Sequence, residues 1–230
     1  MTEDLGREAA DPLCLPHEEA VRLLRDAPWR RLAVMGDSFA QGLGGPSEGY
    51  ADIPWPERIA GALGAGRPDF QYLNTGVMGK RTRQVRAEQL DQVLAFRPDL
   101  VNVAVGGNDL FDAEPDLDAV EADLDAVYAA LRAQGADIFV FTVTNVFDTI
   151  PELAEFRHRV DALNERIRAV AGRHQAVLIE MWDHPVRLRP ALMSTDGIHF
   201  AMEGHAALAA EIVKALSRRL SQAGAESQVR

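Results

Sequence analysis

The fold is decided by Leu32-Ala33-Val34-Met35-Gly36-Asp37-Ser38-Phe39, at residues 32–39. The apolar run at the start of this stretch predicts a short buried strand. A strand that breaks at a glycine and then presents a serine can aim a nucleophile, because open α/β sheets place their sites at the carboxyl ends of strands. If a helix follows, Ser38 is its first residue, and the helix dipole favours negative charge that develops beside this serine. Gly-Asp-Ser is also ordinary turn chemistry, so the role of Ser38 depends on the rest of the chain.

Short apolar runs alternate with amphipathic stretches along the sequence, which indicates strands separated by helical crossovers. Such a pattern predicts a parallel sheet that is covered on both faces. The predicted strands are Leu32–Met35, Asp69–Asn74, Leu100–Val105, Ile138–Val143 and Val177–Met181. The predicted helices are His17–Asp26, one from Pro56, Thr82–Phe96, Asp116–Gln134, Pro151–His174 and Met202–Leu220.

The composition of the chain is uniform and suits a single domain. At 230 residues the chain is long enough for one well-buried core, and it has no internal repeat or compositional break. We therefore predict one three-layer α/β/α domain over residues 29–222. A loose tail over residues 1–15 and a short helix are expected within residues 1–28, and a second tail over residues 223–230.

The charge and cysteine content exclude several classes of function. The net charge is −11, from 35 acidic and 24 basic residues, which argues against nucleic-acid and membrane partners. Cys14 is the only cysteine, so an intramolecular disulfide and a cysteine-based zinc site are excluded. The first residues lack the features of a signal peptide, and no apolar run approaches the ~20 residues that span a bilayer. We expect a cytoplasmic protein, and the sequence leaves the oligomeric state open.

The loops that follow the predicted strands carry the groups that acyl transfer needs. A serine hydroxyl is a poor nucleophile until a base removes its proton, and His199 can serve as that base. Asp196, three residues earlier, can hold the imidazole in the right tautomer. The backbone N–H groups of Ser38 and Gly79 and the side-chain amide of Asn108 can stabilise a tetrahedral oxyanion.

Four blocks in this chain resemble those of the SGNH hydrolases, the group that includes the GDSL esterases and lipases. Gly36-Asp37-Ser38-Phe39 matches the first block, with Phe39 where many members have leucine. Gly79 matches the second, Gly106-Gly107-Asn108-Asp109 the third and Asp196-Gly197-Ile198-His199 the last. The blocks occur in the family order, and the resemblance covers roughly residues 30–216.

The resemblance implies a flavodoxin-like sheet of five parallel strands and hydrolysis through an acyl-serine intermediate without a metal or other cofactor. Ser38 would be the nucleophile, His199 the base and then the acid, and Asp196 the residue that orients His199. Ser38, Gly79 and Asn108 would form the oxyanion hole. The expected substrates are small carboxylic esters: a short or medium acyl ester, an acetylated sugar or a thioester.

Two other functions remain open from the sequence. The same site in an acyltransferase would pass the acyl group to an alcohol instead of water. A non-catalytic ligand-binding module would need a phosphate-cradling loop after the first strand; Gly42, Gly44 and Gly45 lie there, but the Gly-x-Gly-x-x-Gly pattern is missing.

Residues beside the blocks are candidates for substrate contacts. Phe39, Lys80, Arg81 and Phe200 are the candidates, although the two cations could equally belong to the solvated start of a helix. Asp37 and Asp109 are expected to fix their loops, and His205 is expected to pack in the interior because no acidic residue lies three positions before it. The apolar residues that flank the blocks could line an acyl pocket or belong to the core; they are Phe39, Trp55, Met78, Phe111, Phe147 and Phe200.

Overall fold

The computed structural model describes residues 5–147, 154 and 156–228, with side chains up to residue 222. It contains a five-stranded sheet in the order β2-β1-β3-β4-β5. The pairs β1–β3, β3–β4 and β4–β5 are parallel. This is the flavodoxin-like strand order, and it confirms the predicted α/β class. The strands are β1 (Arg31–Gly36), β2 (Gln71–Asn74), β3 (Leu100–Ala104), β4 (Asp137–Phe141) and β5 (Val177–Ile179).

The structure describes eight α-helices: the six predicted from the sequence, with differences at their ends, and two short additional ones over Gly6–Ala10 and Ser38–Gln41. The helices are α1 (Gly6–Ala10), α2 (His17–Leu23), α3 (Ser38–Gln41), α4 (Trp55–Gly64), α5 (Thr82–Phe96), α6 (Leu117–Ala133), α7 (Arg157–Arg173) and α8 (Met202–Gln228). Among the elements that the structure bounds, 3₁₀ turns cover Gly107–Phe111 and Pro185–Leu188. None of the helices described is long and apolar enough to cross a membrane.

The largest differences from the prediction concern the helices α7 and α8. The prediction starts α7 at Pro151, but residues 148–153 and 155 lie outside the described residues, and the helix is observed from Arg157. Helix α8 continues past the predicted end at Leu220 to Gln228. The alanines and the glutamate beyond Leu220 favour this continuation, whereas Gly224 has a low helix propensity.

The chain divides into two compact units. The first unit comprises Met1–Arg30, Gly44–Gln71 and Ala191–Arg230, and the second comprises Arg31–Leu43 and Tyr72–Pro190. Each unit is made of segments that are distant in the sequence. The domain boundaries at residues 29 and 222 stay a prediction.

The second unit contains the core around the sheet. Alternate residues of the central strands point to one face and pack with apolar residues of α5, α6 and α7; on the strands these are Ala33, Met35, Val101, Val103, Ile138 and Val140. The residues between them, such as Leu32, Val34, Leu100 and Phe139, are also fully buried. Both faces of the sheet are therefore removed from water, as is usual for parallel strands.

Residues 5–15 of the first unit are tied down and do not form the loose tail expected from the sequence. The carboxylate of Glu8 accepts hydrogen bonds from Arg58 Nη1 at 2.6 Å and Nη2 at 3.0 Å, and from the Ala51 N–H at 2.8 Å. The hydroxyl of Tyr50 donates to Asp11 Oδ2 at 2.8 Å. These partners lie about 40 to 50 residues away along the chain, so local sequence patterns do not reveal them.

Gly36 ends β1 at a point where no other residue fits. Its φ angle is +144°, and a Cβ atom there would lie 1.9 Å from the carbonyl oxygen of Ala104 on β3. The next N–H, that of Asp37, donates to the same oxygen at 3.0 Å. A side chain at position 36 would therefore push β1 and β3 apart where the candidate serine follows.

We expect Gly36→Ala to lower the free energy of unfolding by more than about 2 kcal/mol, because it combines a backbone clash with an unfavourable φ. Chemical denaturation monitored by circular dichroism measures the effect. Gly172→Ala is the matched control, since a Cβ at this α7 position meets nothing within 4 Å. The control should keep or slightly raise stability, because alanine favours helix. Equal stability of the two variants would contradict the prediction.

Candidate active site

Ser38 is the first residue of the short helix α3, directly after the end of β1. Asp37 caps this helix, and its Oδ1 accepts a hydrogen bond from the Phe39 N–H at 2.9 Å. The helix ends at Gly42 in the left-handed conformation. Strand, cap and turn hold the buried Ser38 at the carboxyl edge of the sheet.

The loop that follows β2 carries Gly79. The Val77 N–H donates to the Gly36 carbonyl at 3.2 Å, and the Met78 N–H donates to Gln41 Oε1 at 3.0 Å. These bonds attach the loop to the end of β1 and to α3. Gly79 itself is exposed and has a φ of +78°, and no residue that the structure describes accepts a hydrogen bond from its N–H.

Asn108 lies in the 3₁₀ turn after β3 and links this turn to the loops that carry Ser38 and Gly79. Its Nδ2 donates to the Lys80 carbonyl at 3.0 Å and lies 3.4 Å from Asp37 Oδ2. The second unit therefore brings the loops of Ser38, Gly79 and Asn108 together, each after a different strand. Asp37 also fixes its own turn, as predicted from the sequence.

Asp109 holds the start of α5 against the loop that carries Asn108. Its Oδ2 accepts hydrogen bonds from the Thr82 N–H at 3.0 Å and from Thr82 Oγ1 at 2.9 Å. Burial raises the pKa of Asp109 despite these hydrogen bonds. The predicted structural role of Asp109 is confirmed.

Asp196 and His199 form a close pair in the first unit. The distance between His199 Nδ1 and Asp196 Oδ2 is 2.6 Å. The other oxygen of Asp196, Oδ1, accepts hydrogen bonds from Ser194 Oγ at 2.6 Å and from the N–H groups of Ile198 at 2.9 Å and His199 at 3.0 Å. The spacing of three residues therefore produces the pair that it predicts.

The environment of Asp196 favours its charged form. Partial burial opposes ionisation, but the hydrogen bonds from His199, Ser194 and two backbone N–H groups hold the pKa of Asp196 well below its usual range. An ionised aspartate at Nδ1 selects the tautomer in which Nδ1 carries the proton and Nε2 accepts one. In this tautomer His199 Nε2 can act as a base.

A family model described as GDSL-like lipase/acylhydrolase matches residues 34–207, about three quarters of the chain. The chain belongs to this family. As a member it is a carboxylic ester hydrolase. No relative was found among curated proteins.

Solved structures of esterases and related hydrolases share the fold of this family member. TesA has a TM-score of 0.65 at 23% identity, with 81% of this chain and 97% of TesA covered. An alpha/beta hydrolase from the metagenome of Lake Arreo, Spain, has a TM-score of 0.65 at 23% identity, covering 81% of this chain and 94% of its own. The acetylxylan esterase Axe2 from Geobacillus stearothermophilus has a TM-score of 0.64 at 21% identity, covering 81% and 93%. At these identities the likeness concerns the fold alone.

The four residues predicted to contact substrate have varied surroundings in this hydrolase. The ring of Phe39 lies 5.7 Å from that of Phe141, and Phe200 is buried with its ring 6.4 Å from His205. Lys80 pairs with Glu88, and both terminal nitrogens of Arg81 donate to Asp112, at 2.6 and 2.8 Å. Substrate contact by these four residues stays a prediction.

His205 is fully buried, as expected for a packing residue. Its Nδ1 accepts a hydrogen bond from the Trp55 N–H at 3.3 Å, and Trp55 is also fully buried. Of the other apolar residues that flank the family blocks, Phe147 is buried, whereas Met78 is 64% and Phe111 59% exposed. Trp55 and Phe147 therefore belong to the core, while Met78 and Phe111 face the surface.

Gly44 has a packing role in the first unit, which the phosphate-loop interpretation did not anticipate. A Cβ at Gly44 would lie 2.2 Å from the Phe200 carbonyl oxygen and 2.7 Å from His205 Nε2. The Met202 N–H donates to the carbonyl of the neighbouring Gly45 at 2.9 Å. These glycines let the chain lie against the segment that follows His199.

Sequence reasoning missed three residues that support the site. Ser194 donates to Asp196, and a serine two residues before an aspartate is the only sequence signal for it. Arg159 on α7 holds the segment after Asn108, donating to the carbonyls of Leu110 and Asp112 at 2.7 Å each. Gln89 on α5 binds the backbone at the end of β1.

The depressed pKa of Asp196 makes its contribution to stability depend on pH. An aspartate with a lowered folded-state pKa stabilises the fold above its unfolded-state value of about 4, and this contribution is lost as the pH falls below that value. We therefore expect Asp196→Asn to lower the melting temperature more at pH 7 than at pH 3. Thermal unfolding of both proteins at the two pH values measures the difference.

Asp52→Asn is the control for this comparison, because Asp52 is an exposed aspartate of the same unit. It should change the melting temperature little at either pH. An effect of Asp196→Asn that is as large at pH 3 as at pH 7 would show that the charge of Asp196 does not contribute.

Proposed function

We propose that the protein hydrolyses small carboxylic esters through an acyl-serine intermediate on Ser38. The observation that carries the proposal is the pair of His199 Nδ1 and Asp196 Oδ2 at 2.6 Å. Family membership supports it, because the serine and this pair stand in two of the four family blocks. In this mechanism Ser38 Oγ attacks the ester carbonyl carbon while His199 Nε2 takes the hydroxyl proton.

His199 then acts as an acid. Collapse of the tetrahedral intermediate breaks the bond to the leaving alcohol, and His199 returns the proton to that alcohol's oxygen. In the second half a water molecule gives a proton to His199 Nε2, and its oxygen attacks the acyl carbonyl carbon. Collapse of this second tetrahedral intermediate breaks the bond to Ser38 Oγ, and His199 returns the proton to Oγ, which releases the carboxylic acid and restores Ser38. Asp196 stabilises the imidazolium at each stage and holds the ring in one orientation.

The proposed oxyanion hole consists of the Ser38 N–H, the Gly79 N–H and Asn108 Nδ2. The exposed N–H of Gly79 is a donor that no described residue uses. One hydrogen of Asn108 Nδ2 is held by the Lys80 carbonyl at 3.0 Å. The other lies toward Asp37 Oδ2 at 3.4 Å, where a hydrogen bond is weak, so it can donate to the oxyanion in the transition state.

Neutral esters with an apolar acyl group suit the surface of the second unit best. Met78 directly precedes Gly79, and Phe111 lies three residues after Asn108. Both side chains are mostly exposed. The cations nearest to these loops, Lys80 and Arg81, are each paired with a carboxylate, which reduces their attraction for an anionic substrate. Two neighbouring folds are described as acetylxylan esterases, so acetylated sugars are a second class to test.

Ser38→Ala and His199→Ala should each reduce kcat by at least about 10⁴-fold, and the double variant should lose little more because the two groups act as a unit. Asp196→Asn should impair turnover less completely than Ser38→Ala. Hydrolysis of p-nitrophenyl acetate and butyrate measures these effects. His158→Ala, at an exposed histidine of α7, is the control and should retain full activity. Full activity of Ser38→Ala would overturn the proposal.

A panel of p-nitrophenyl esters from C2 to C12, together with acetylated xylo-oligosaccharides, tests the acyl preference. The paired variant Met78→Ser and Phe111→Ser should lower the ratio of kcat/KM for C8 over C2 about tenfold, since apolar burial contributes ~0.8 kcal/mol per methylene. Leu188→Ser, which replaces another exposed apolar residue of the same unit, should leave the ratio unchanged. An unchanged ratio in the paired variant would exclude Met78 and Phe111 from acyl binding.

Adding a primary alcohol to the same assay distinguishes hydrolysis from acyl transfer. A hydrolase should release the free acid as its main product, whereas a transferase should convert most of the acyl group into a new ester. Chromatographic analysis of the products separates the two.

A further inference from the structure

The side-chain amide of Gln89 binds both polar groups of the Gly36 backbone. Its Oε1 accepts a hydrogen bond from the Gly36 N–H at 2.9 Å, and its Nε2 donates to the Gly36 carbonyl at 2.8 Å. Gln89 lies in the middle of α5 and is only 4% exposed. A third bond, from Thr75 Oγ1 to Gln89 Oε1 at 3.0 Å, fixes the orientation of the amide.

These bonds replace a strand partner where the sheet stops. The neighbouring strand β2 ends at Asn74, and the Thr75 N–H still donates to Val34 on β1 at 2.9 Å. One step further along β1, Gly36 has no strand residue on this side. Buried backbone groups without a partner cost free energy, and the amide of Gln89 offers the donor and the acceptor that a strand would offer.

Helix α5 thereby connects two of the loops that form the site. Near its middle, Gln89 holds Gly36, which is two residues before Ser38. At its first residue, Thr82 donates two hydrogen bonds to Asp109, which is next to Asn108. A shift of α5 would therefore move the serine and the asparagine together.

We propose that Gln89 is a positioning residue that sets the orientation of the Gly36 peptide and, through it, of Ser38. The proposal rests on the proposed role of Ser38 as nucleophile. Gly36 is already confined by Ala104 on its β3 side, where a Cβ would lie 1.9 Å from the carbonyl oxygen. Gln89 confines it on the opposite side, so the two contacts together leave the peptide one orientation.

The test compares Gln89→Leu with Gln92→Leu, which makes the same change at an exposed position on the same helix. We expect Gln89→Leu to lower kcat for p-nitrophenyl butyrate about 10- to 100-fold with KM changed less than about threefold, because a displaced nucleophile affects the reaction more than binding. Gln92→Leu should retain the kcat of the unaltered protein. Thr75→Val, a milder change that removes the bond to Gln89 Oε1 and a longer one to the Val34 carbonyl at 3.4 Å, should lower kcat about two- to fivefold.

The variant Gln89→Glu provides a second measurement, the pH dependence of kcat, which a general loss of stability would not change. An ionised carboxylate can accept from the Gly36 N–H but cannot donate to the Gly36 carbonyl, whereas a protonated one can do both. Burial favours the protonated form. The ratio of its kcat to that of the unaltered protein should therefore rise as the pH is lowered from 8 to 6, and a flat ratio would count against the proposal.

Labelling with a fluorophosphonate probe separates failure of this proposal from failure of the proposed function. The unaltered protein should be labelled at Ser38, and Gln89→Leu should be labelled at least about tenfold more slowly. Labelling of Ser38 at equal rates in both proteins, with equal kcat, would overturn the role of Gln89 alone. Absence of labelling at Ser38 in the unaltered protein, together with full activity of Ser38→Ala, would overturn the proposed function. If Gln89→Leu does not fold, Thr75→Val and Gln89→Glu decide the question.

Discussion

The close approach of two backbones at the end of β1 is the constraint on which the rest of the site depends. Gly36 lies so near the Ala104 carbonyl that a Cβ would overlap with it at 1.9 Å. The carbonyl of Gly36 accepts hydrogen bonds from the loop after β2 and from α5, through Val77 and Gln89. One residue without a side chain thus joins two strands, a loop and a helix. The orientation of Ser38 depends on this junction, because only Asp37 separates Ser38 from Gly36.

The elements of the fold could be predicted because four of the five strands contain a run rich in apolar residues, whereas β2 has only Tyr72 and Leu73 between polar residues. The strand ends were predicted less well. The predicted strands extend one or two residues beyond the observed ends of β3, β4 and β5, which are Ala104, Phe141 and Ile179. Apolar side chains report burial, whereas a strand ends where hydrogen bonding to its neighbour ends. The pairing of His199 with Asp196 was predictable for a different reason, since it depends on a spacing of three residues within one loop.

Contacts between distant segments could not be predicted in this way. Gln89 interrupts an apolar stripe on α5, and a polar residue in a helix usually faces water. The partners of Gln89 are Gly36, 53 residues earlier, and Thr75, 14 residues earlier. The same holds for Glu8, whose ion pair with Arg58 spans 50 residues and turns an expected tail into an ordered segment. A polar side chain that replaces missing backbone partners has no periodic signal in the sequence.

Hydrogen-bond geometry rather than charge alone explains how an aspartate as accessible as Asp196 can orient a histidine. Its side chain is 47% exposed, and at such exposure solvent weakens the attraction between opposite charges. Its two oxygens nevertheless accept four hydrogen bonds, from His199 Nδ1, Ser194 Oγ and two backbone N–H groups. The carboxylate can rotate only by breaking several of these at once, so the direction of its bond to Nδ1 is fixed. An asparagine could accept at one oxygen only, which is why its effect on turnover should differ from that of losing the nucleophile.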